Sequence, residues 1–280
     1  MDQQKAPQAT SSGEIYGEGF SAVYNSDRYA LFSQRLAKLA LSLLEQQGCP
    51  GRELLDLACG AGAGTVLLAK AGFVVVGIDG SQTMLRCTTQ RAEAAGIDIR
   101  LFRQDMRTLE LSQQFDVVTC LFDALNYLLR EDELAKLFVR IAALLRPQGL
   151  FVFDLNTLHG LATRWGTRDH VFTARPDLFE ANQYRFQEET GINTVTTTLF
   201  VRQGTGDLFQ RFTEVHRERG YPPETISGLL TAAGLDVISI QGLSDRFQGL
   251  SGGLQPLTED AGRMMVLARH GAGSDATHGR

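Results

Sequence analysis

The stretch Asp56-Leu57-Ala58-Cys59-Gly60-Ala61-Gly62-Ala63-Gly64 constrains this chain more than any other. The short apolar run Glu53–Leu57 before it reads as a strand. Thr65–Ala71 after it reads as a helix that stops at Gly72. Glycines at such a strand-to-helix turn let the backbone approach a ligand closely and present helix N-terminal amides to it. A turn of this kind belongs to a parallel α/β sheet. The spacing is GxGxG, with an acidic residue on the strand before it. The dinucleotide fingerprint is GxGxxG, so a nicotinamide or flavin enzyme ranks last among the readings.

The rest of the chain agrees with a doubly wound sheet. Leu31, Phe32, Leu36, Leu39, Leu43 and Leu44 follow helical spacing between Arg28 and Gln46. Phe73–Asp79 and Phe115–Phe122 are continuous apolar runs, as strands covered on both faces require. Ser81 is placed to cap a helix that Gly96 ends. Ile97, Ile99 and Leu101 alternate as a less buried strand. A helical stripe from Leu134 to Leu145 leads through Pro147-Gln148-Gly149 into a strand over Leu150–Asp154. The alternation then stops between Thr157 and Gly220. Three β-prone stretches lie there: Gln183–Gln187, Thr194–Arg202 and Phe209–Val215. A helix from Pro222 to Gly234 and strands over Leu235–Ile240 and Met264–Ala268 resume the α/β pattern, with Ser244–Gly262 as a polar connection. The reading is one domain over 14–270, an antiparallel β lid inserted at 157–220, and flexible tails at 1–13 and 271–280.

Composition narrows the functional classes. The longest uncharged apolar stretch is Ala71–Ile78, and a membrane span needs roughly 20 residues. Cys49, Cys59, Cys87 and Cys120 form no CxxC pair, so neither a disulfide framework nor a metal site is expected, and the cytoplasm is the expected compartment. The net charge is −5, without a basic stripe. The lid holds eight Arg against eight Asp or Glu. A balanced lid is a poor funnel for a polyanion, so no nucleic-acid partner is expected, and a small polar molecule suits it better.

Two further acids fall at strand ends. Asp79 lies 19 residues after Gly60, where a carboxylate can accept both hydroxyls of a ribose. Asp105-Met106 follows the third strand, where a carboxylate and a backbone N–H can read an adenine edge. The series LLDLACGAGAGTVLLAKAG, VVVGIDGSQTML, FRQDMRTL, FDVVTCLFDALNYL and LLRPQGLFVFDLNT resembles the successive motifs of the Rossmann-like S-adenosylmethionine-dependent methyltransferases. The resemblance spans about residues 28–156 and 222–270. It implies a seven-stranded sheet with one antiparallel strand, and S-adenosylmethionine as cofactor. The methionine end would meet Gly60 and Gly62, the ribose Asp79 beside Gly80, and the adenine Asp105 and Met106. Leu121 would lie beside the cofactor. Ala58 stands where the family commonly has glycine. FDALNYL, FDLNT and the segment Glu214–Arg219 also resemble bacterial small-molecule methyltransferases with a β-sheet lid, such as amino-sugar N,N-dimethyltransferases.

The expected function is therefore methyl transfer to a nitrogen or oxygen of a small polar metabolite. Alternatives are an RNA or protein methyltransferase that docks through the lid, and a cofactor-binding protein without transferase activity. A hydroxyl acceptor usually needs a general base. His216 is a candidate, with Glu214 two residues away on the same strand face. His159, just beyond Asn156, and Tyr24 are the other catalytic candidates. Tyr16 and Tyr24 sit in a segment that the resemblance folds over the cofactor. Asp123, Asn126, Tyr127, Asn156, Trp165 and Glu214 are the candidate acceptor contacts.

Overall fold

The computed structural model describes residues 15–24, 27–165, 169–243 and 253–271. The tail read from sequence at 1–13 lies outside them, as do residues 272–280 of the tail read at 271–280 and residues 244–252 of the polar connection.

Why the apolar runs are continuous becomes clear at the sheet. Strands β1 (Glu53–Leu57), β2 (Val74–Asp79), β3 (Arg100–Arg103), β4 (Phe115–Cys120) and β5 (Leu145–Asn156) are mutually parallel in the order 5-4-1-2-3. Successive side chains on a strand point to opposite faces. Leu54, Val117 and Val152 thus pack under helix α2 (Asp27–Gln46) with Phe32, Leu36, Leu43 and Leu44. Their neighbours Leu55, Val118, Phe151 and Phe153 pack under α5 (Glu131–Leu144) with Leu134, Leu137, Phe138 and Ile141. Both faces are covered, so both residues of each pair must be apolar.

Helix α3 (Ala63–Lys70) follows β1, and α4 (Gln82–Ala94) follows β2. Ser81 caps α4 by accepting from the Met84 N–H at 3.2 Å. After β3 the chain returns across the sheet to β4. That reversal makes the β1/β4 boundary the place where a doubly wound sheet opens a crevice at its carboxyl ends.

The mixed edge is larger than expected. A helix (Pro223–Ala232) precedes β10 (Leu235–Leu243), and β12 (Arg263–His270) runs antiparallel to both β10 and β5. An eighth strand, β11 (Leu254–Pro256), pairs antiparallel with β10. Its three residues are too few to show a period in sequence. Strand β5 also starts earlier than read. Leu145 already pairs with Phe115, and the Pro147–Gly149 turn is an irregularity within the strand, with Gln148 at φ +66°.

Residues 158–165 form a three-residue helix (Leu158–Gly160) and a π-helical turn (Leu161–Trp165). Beyond them stands a separate antiparallel sheet: β6 (His170–Ala174), β7 (Leu178–Gln187), β8 (Ile192–Arg202) and β9 (Phe209–Arg219), in that order. Three of its strands match the β-prone stretches, in longer form. The fourth, β6, and the first half of β7 were not legible. Glu180 and Asn182 are buried there where an apolar residue would mark an inward face. Helix α1 (Glu18–Tyr24) was also missed. It lies between α4 and the lid, where Phe20 and Val23 pack with Met84, Leu178 and Leu199.

Candidate active site

A cavity of about 760 Å³ opens at the carboxyl ends of β1, β2 and β4. The glycine turn forms its floor. Gly62 has φ +78°, and a Cβ there would come within 2.6 Å of Thr88 Cγ2 and 2.9 Å of Thr88 Cα, so protein packing alone demands glycine. Gly60 differs. Its φ is +56°, but a Cβ would meet nothing within 4 Å, so its bareness leaves room on the cavity side. Ala58 holds φ +56° despite its Cβ.

Beneath the turn, the buried Asp56 accepts from Thr65 Oγ1 at 2.7 Å and Thr119 Oγ1 at 2.8 Å. Burial lifts its carboxyl to about 6. Asp79 accepts from the Gly60 N–H at 2.9 Å and the Ser81 N–H at 2.8 Å, one on each oxygen. Each oxygen keeps a second lone-pair direction, so two hydroxyls can still be received. Burial raises the Asp79 carboxyl as well. Gly80, Asp105, Met106 and Leu121 line the same cavity. Asp105 is half exposed and caps a short 3-10 turn, accepting from the Arg107 N–H at 2.9 Å and its guanidinium at 3.0 Å.

A second, smaller chamber of about 100 Å³ lies between the sheet and the lid. Tyr16, Tyr24, Tyr29, Phe122 and Tyr127 line both spaces, so this aromatic wall is the partition. Phe122 and Asp123 are held at φ +67° and +53° by their N–H groups, which donate to Asp154 at 2.6 and 3.2 Å. That turn sends Leu121 to the cavity and Asp123 to the chamber. The Tyr16 and Tyr127 hydroxyls are hydrogen-bonded, and the Tyr127 hydroxyl meets His216 Nδ1 at 3.0 Å. Burial pushes the phenols of Tyr16, Tyr24 and Tyr127 well above their ordinary range, so all three stay protonated.

The candidates divide by position. His216 lines the chamber, with Nε2 3.5 Å from Glu214 Oε2. Glu214 lines neither space. It grips the segment above by accepting from the Tyr16 N–H at 2.7 Å and the Gly17 N–H at 2.9 Å. Asn126 and Asn156 are buried as brackets. Asn126 donates to Asn156 O at 3.0 Å and Arg219 O at 2.8 Å, and accepts from the Asn156 N–H at 2.9 Å. Asn156 Nδ2 lies 2.8 Å from both Asp123 Oδ2 and Glu218 Oε2. His159 does not join them. It is exposed and lines neither space, because the helix at Leu158–Gly160 turns it outward. The Trp165 side chain lies outside the described residues.

Sequence reasoning missed Glu218, Glu180, Asn182, Asn193 and Arg263, all of which line the chamber. The signal for Glu218 was present: it is two residues beyond His216 on the same strand face. Burial, first, and the negative charge of Asp123, second, push its carboxyl up to about 8, against the pull of Asn156 and Arg263.

Residues 54–149, from β1 to the turn within β5, match the family described as "Methyltransferase domain". A protein of Geobacillus sp. (strain WCH70), named as a methyltransferase, is 35% identical over 206 residues, covering 70% of this chain and 79% of its own. This chain belongs to the S-adenosylmethionine-dependent methyltransferases. The crystal structure of an S-adenosylmethionine-dependent methyltransferase from Clostridium acetobutylicum ATCC 824 superposes with a TM-score of 0.76 at 25% identity, over 90% of this methyltransferase and 98% of that chain. A dTDP-3-amino-3,6-dideoxy-α-D-glucopyranose N,N-dimethyltransferase of Streptomyces fradiae is 32% identical over 148 residues, 53% of this methyltransferase and 55% of its own length. The cofactor is S-adenosylmethionine, and the 760 Å³ cavity fits it: a bare glycine floor, free carboxylate lone pairs at Asp79, and an apolar wall at Leu121 and Met106.

Proposed function

We propose that this enzyme transfers the methyl group of S-adenosylmethionine to a nitrogen or oxygen of a small polar metabolite seated in the lid chamber. The observation that carries this reading is the shared aromatic wall: the chamber touches the large cavity through five side chains, and the rest of its wall is mostly lid, completed by Phe20, Asp123 and Arg263. A space of about 100 Å³ admits a small molecule's reacting end. The dimethyltransferase similarity points to the same class of acceptor.

In this reading Gly60 and Gly62 receive the methionine end, Asp79 the ribose with Gly80 beside it, and Asp105 and Met106 the adenine. Leu121 closes the inner wall. The bound cofactor supplies an electrophilic methyl on a sulfonium. The protein's part is alignment and exclusion of water. Alignment can contribute about 7–11 kcal/mol. General base help contributes about 10²–10⁴-fold, or roughly 3–5 kcal/mol. The wall of Tyr16, Tyr24 and Tyr127 is thus the larger contributor, because it fixes where the acceptor atom stands. His216 is placed to take the acceptor's proton, either directly or through the Tyr127 hydroxyl. Asn156 holds Asp123 and Glu218 in place, and Glu214 holds Tyr16 over the site.

The test is isotope-labelled methyl transfer to a metabolite extract, read by mass spectrometry. Labelled small molecules support the reading. Label confined to RNA or protein, or no label despite bound S-adenosylhomocysteine, refutes it.

A further inference from the structure

The lid chamber holds polar atoms that its own hydrogen bonds do not use. Asn193 is 1% exposed, and neither its amide oxygen nor its amide nitrogen has a partner. Asn182 Oδ1 is likewise buried and without a hydrogen bond, and so is His216 Nε2, whose nearest acid is Glu214 Oε2 at 3.5 Å. All three side chains line the same space. Buried polar groups are almost always hydrogen-bonded. Four unsatisfied atoms around one small chamber form a surface made for another molecule's polar atoms.

Charge adds a second, independent indication. Asp123, Glu180 and Glu218 line the chamber against one guanidinium, Arg263. That guanidinium is engaged by Asp154, and by Asp123 at 3.2 Å. Glu180 accepts from Tyr29 Oη at 3.2 Å, Thr173 Oγ1 at 2.8 Å and Asn182 Nδ2 at 3.2 Å. Glu218 receives only the Asn156 amide, shared with Asp123. The titratable and charged groups that share its chamber are Asp123 from the turn after β4, Tyr16, Tyr24, Tyr29 and Tyr127, Glu180 and Tyr184 from β7, Arg263 from β12, and His216 on its own strand. Arg28 stacks on Phe172 at the chamber's side and donates to Phe172 O at 3.3 Å. Among the described residues the one guanidinium acting on Glu218 is Arg263, which Asp154 and Asp123 already hold.

We infer that Glu218 selects the acceptor by charge: the molecule that enters the lid chamber presents an ammonium group to Glu218 and a hydroxyl to Asn193. This rests on the small-molecule reading above and names both the acceptor class and the residues that read it. The hydroxyl follows from Asn193, whose amide offers one donor edge and one acceptor edge, and a hydroxyl satisfies both. The ammonium follows from the charge imbalance, three lining carboxyls against one guanidinium already held by Asp154 and Asp123. Buried among other acids, Glu218 holds a proton when nothing opposes it. An arriving cation takes over that role, and the proton leaves to solvent. Binding is then an electroneutral exchange, one ammonium in and one proton out.

The experiment uses the protein loaded with S-adenosylhomocysteine at pH 7. The probes are 2-aminoethanol, which carries one ammonium and one hydroxyl, and its neutral counterpart ethylene glycol. Calorimetry in two buffers of different ionisation enthalpy reads both affinity and proton release. The expected result is at least tenfold tighter binding of 2-aminoethanol, with release of about one proton. Glu218→Gln erases both the preference and the proton release, Glu218→Asp keeps part of each, and Asn193→Ala weakens both probes alike. Equal binding of the two probes overturns the inference, as does a preference that survives in Glu218→Gln. The two readings fail separately. A wild type that selects 2-aminoethanol but labels no small molecule refutes the transferase reading alone. One that labels neutral acceptors and binds both probes alike refutes charge selection alone.

Discussion

Replacing Glu218 by glutamine should change how stability depends on pH, even without any acceptor. The carboxyl stands at about 8 in the folded protein, against about 4.3 in an unfolded chain. Between those values the folded state binds a proton that the unfolded state does not. Stability therefore falls as pH rises through that window, by up to about 1.4 kcal/mol per pH unit. Over the whole window this approaches about 5 kcal/mol. Glu218 keeps some contact with solvent through the chamber, and screening reduces the expected loss to about 2–3 kcal/mol. Glutamine preserves the Asn156 contact but does not titrate. The variant should match wild type near pH 4 and exceed it by about 2–3 kcal/mol at pH 8. Urea unfolding at half-unit pH steps, on both proteins in parallel, measures the difference directly. Parallel stability curves from pH 4 to 8 would refute the claim that burial and Asp123 hold this carboxyl protonated.

Three further outcomes are expected. Asp79→Ala should weaken S-adenosylmethionine by about 1–3 kcal/mol, the range for a hydrogen bond to a charged group. Unchanged affinity in calorimetry would remove Asp79 from the ribose site. Ala58→Gly should raise stability by about 0.5–1 kcal/mol, since φ +56° costs an L-residue roughly 1–2 kcal/mol and glycine's unfolded entropy offsets part of the gain. A midpoint unchanged or lower in denaturant contradicts this. Gly62→Ala should destabilise by about 2–5 kcal/mol, combining its positive φ with overlap on the Thr88 backbone. A well-folded variant with wild-type stability would show that the turn can yield.

The parallel half of the fold was legible because a strand buried on both faces has only one way to be written. Leu54-Leu55 and Val117-Val118 serve opposite helical layers, so neither position tolerates a polar residue. The large cavity was legible for a related reason. Asp56, Gly60, Gly62, Asp79 and Asp105 fall at strand ends in chain order, and parallel topology brings strand ends together. The lid was legible only in part. Its inner face is built from Glu180, Asn182, Asn193, Thr197 and His216, all buried. A polar buried face inverts the usual rule that the alternating apolar side is the inner one. The same inversion concealed Glu218, although strand periodicity already tied it to His216. His159 failed for a different reason. Its position after a strand end suggested the site, but a three-residue helix leaves it exposed there, and such short helices carry no period. Arg263 is remote in sequence and reaches the chamber only because β12 lies next to β5.

The Asn126 bracket bears on how such enzymes can be rebuilt. One buried amide ties together the turn after β4, the end of β5 and the last residue of β9. Tyr221, just past the lid, anchors to Leu128 O in the same turn. Cutting out residues 157–220 would strip an acceptor, the Arg219 carbonyl, from the buried Asn126 amide, and a relative's lid would have to restore it. Each buried group so orphaned costs about 1–3 kcal/mol. The four-stranded sheet is contiguous in sequence, between β5 and the helix Pro223–Ala232, but not an interchangeable part. A chimera that respects the sequence boundaries alone should express poorly. One that carries over residues 123–128 together with the lid transplants the joint along with the piece.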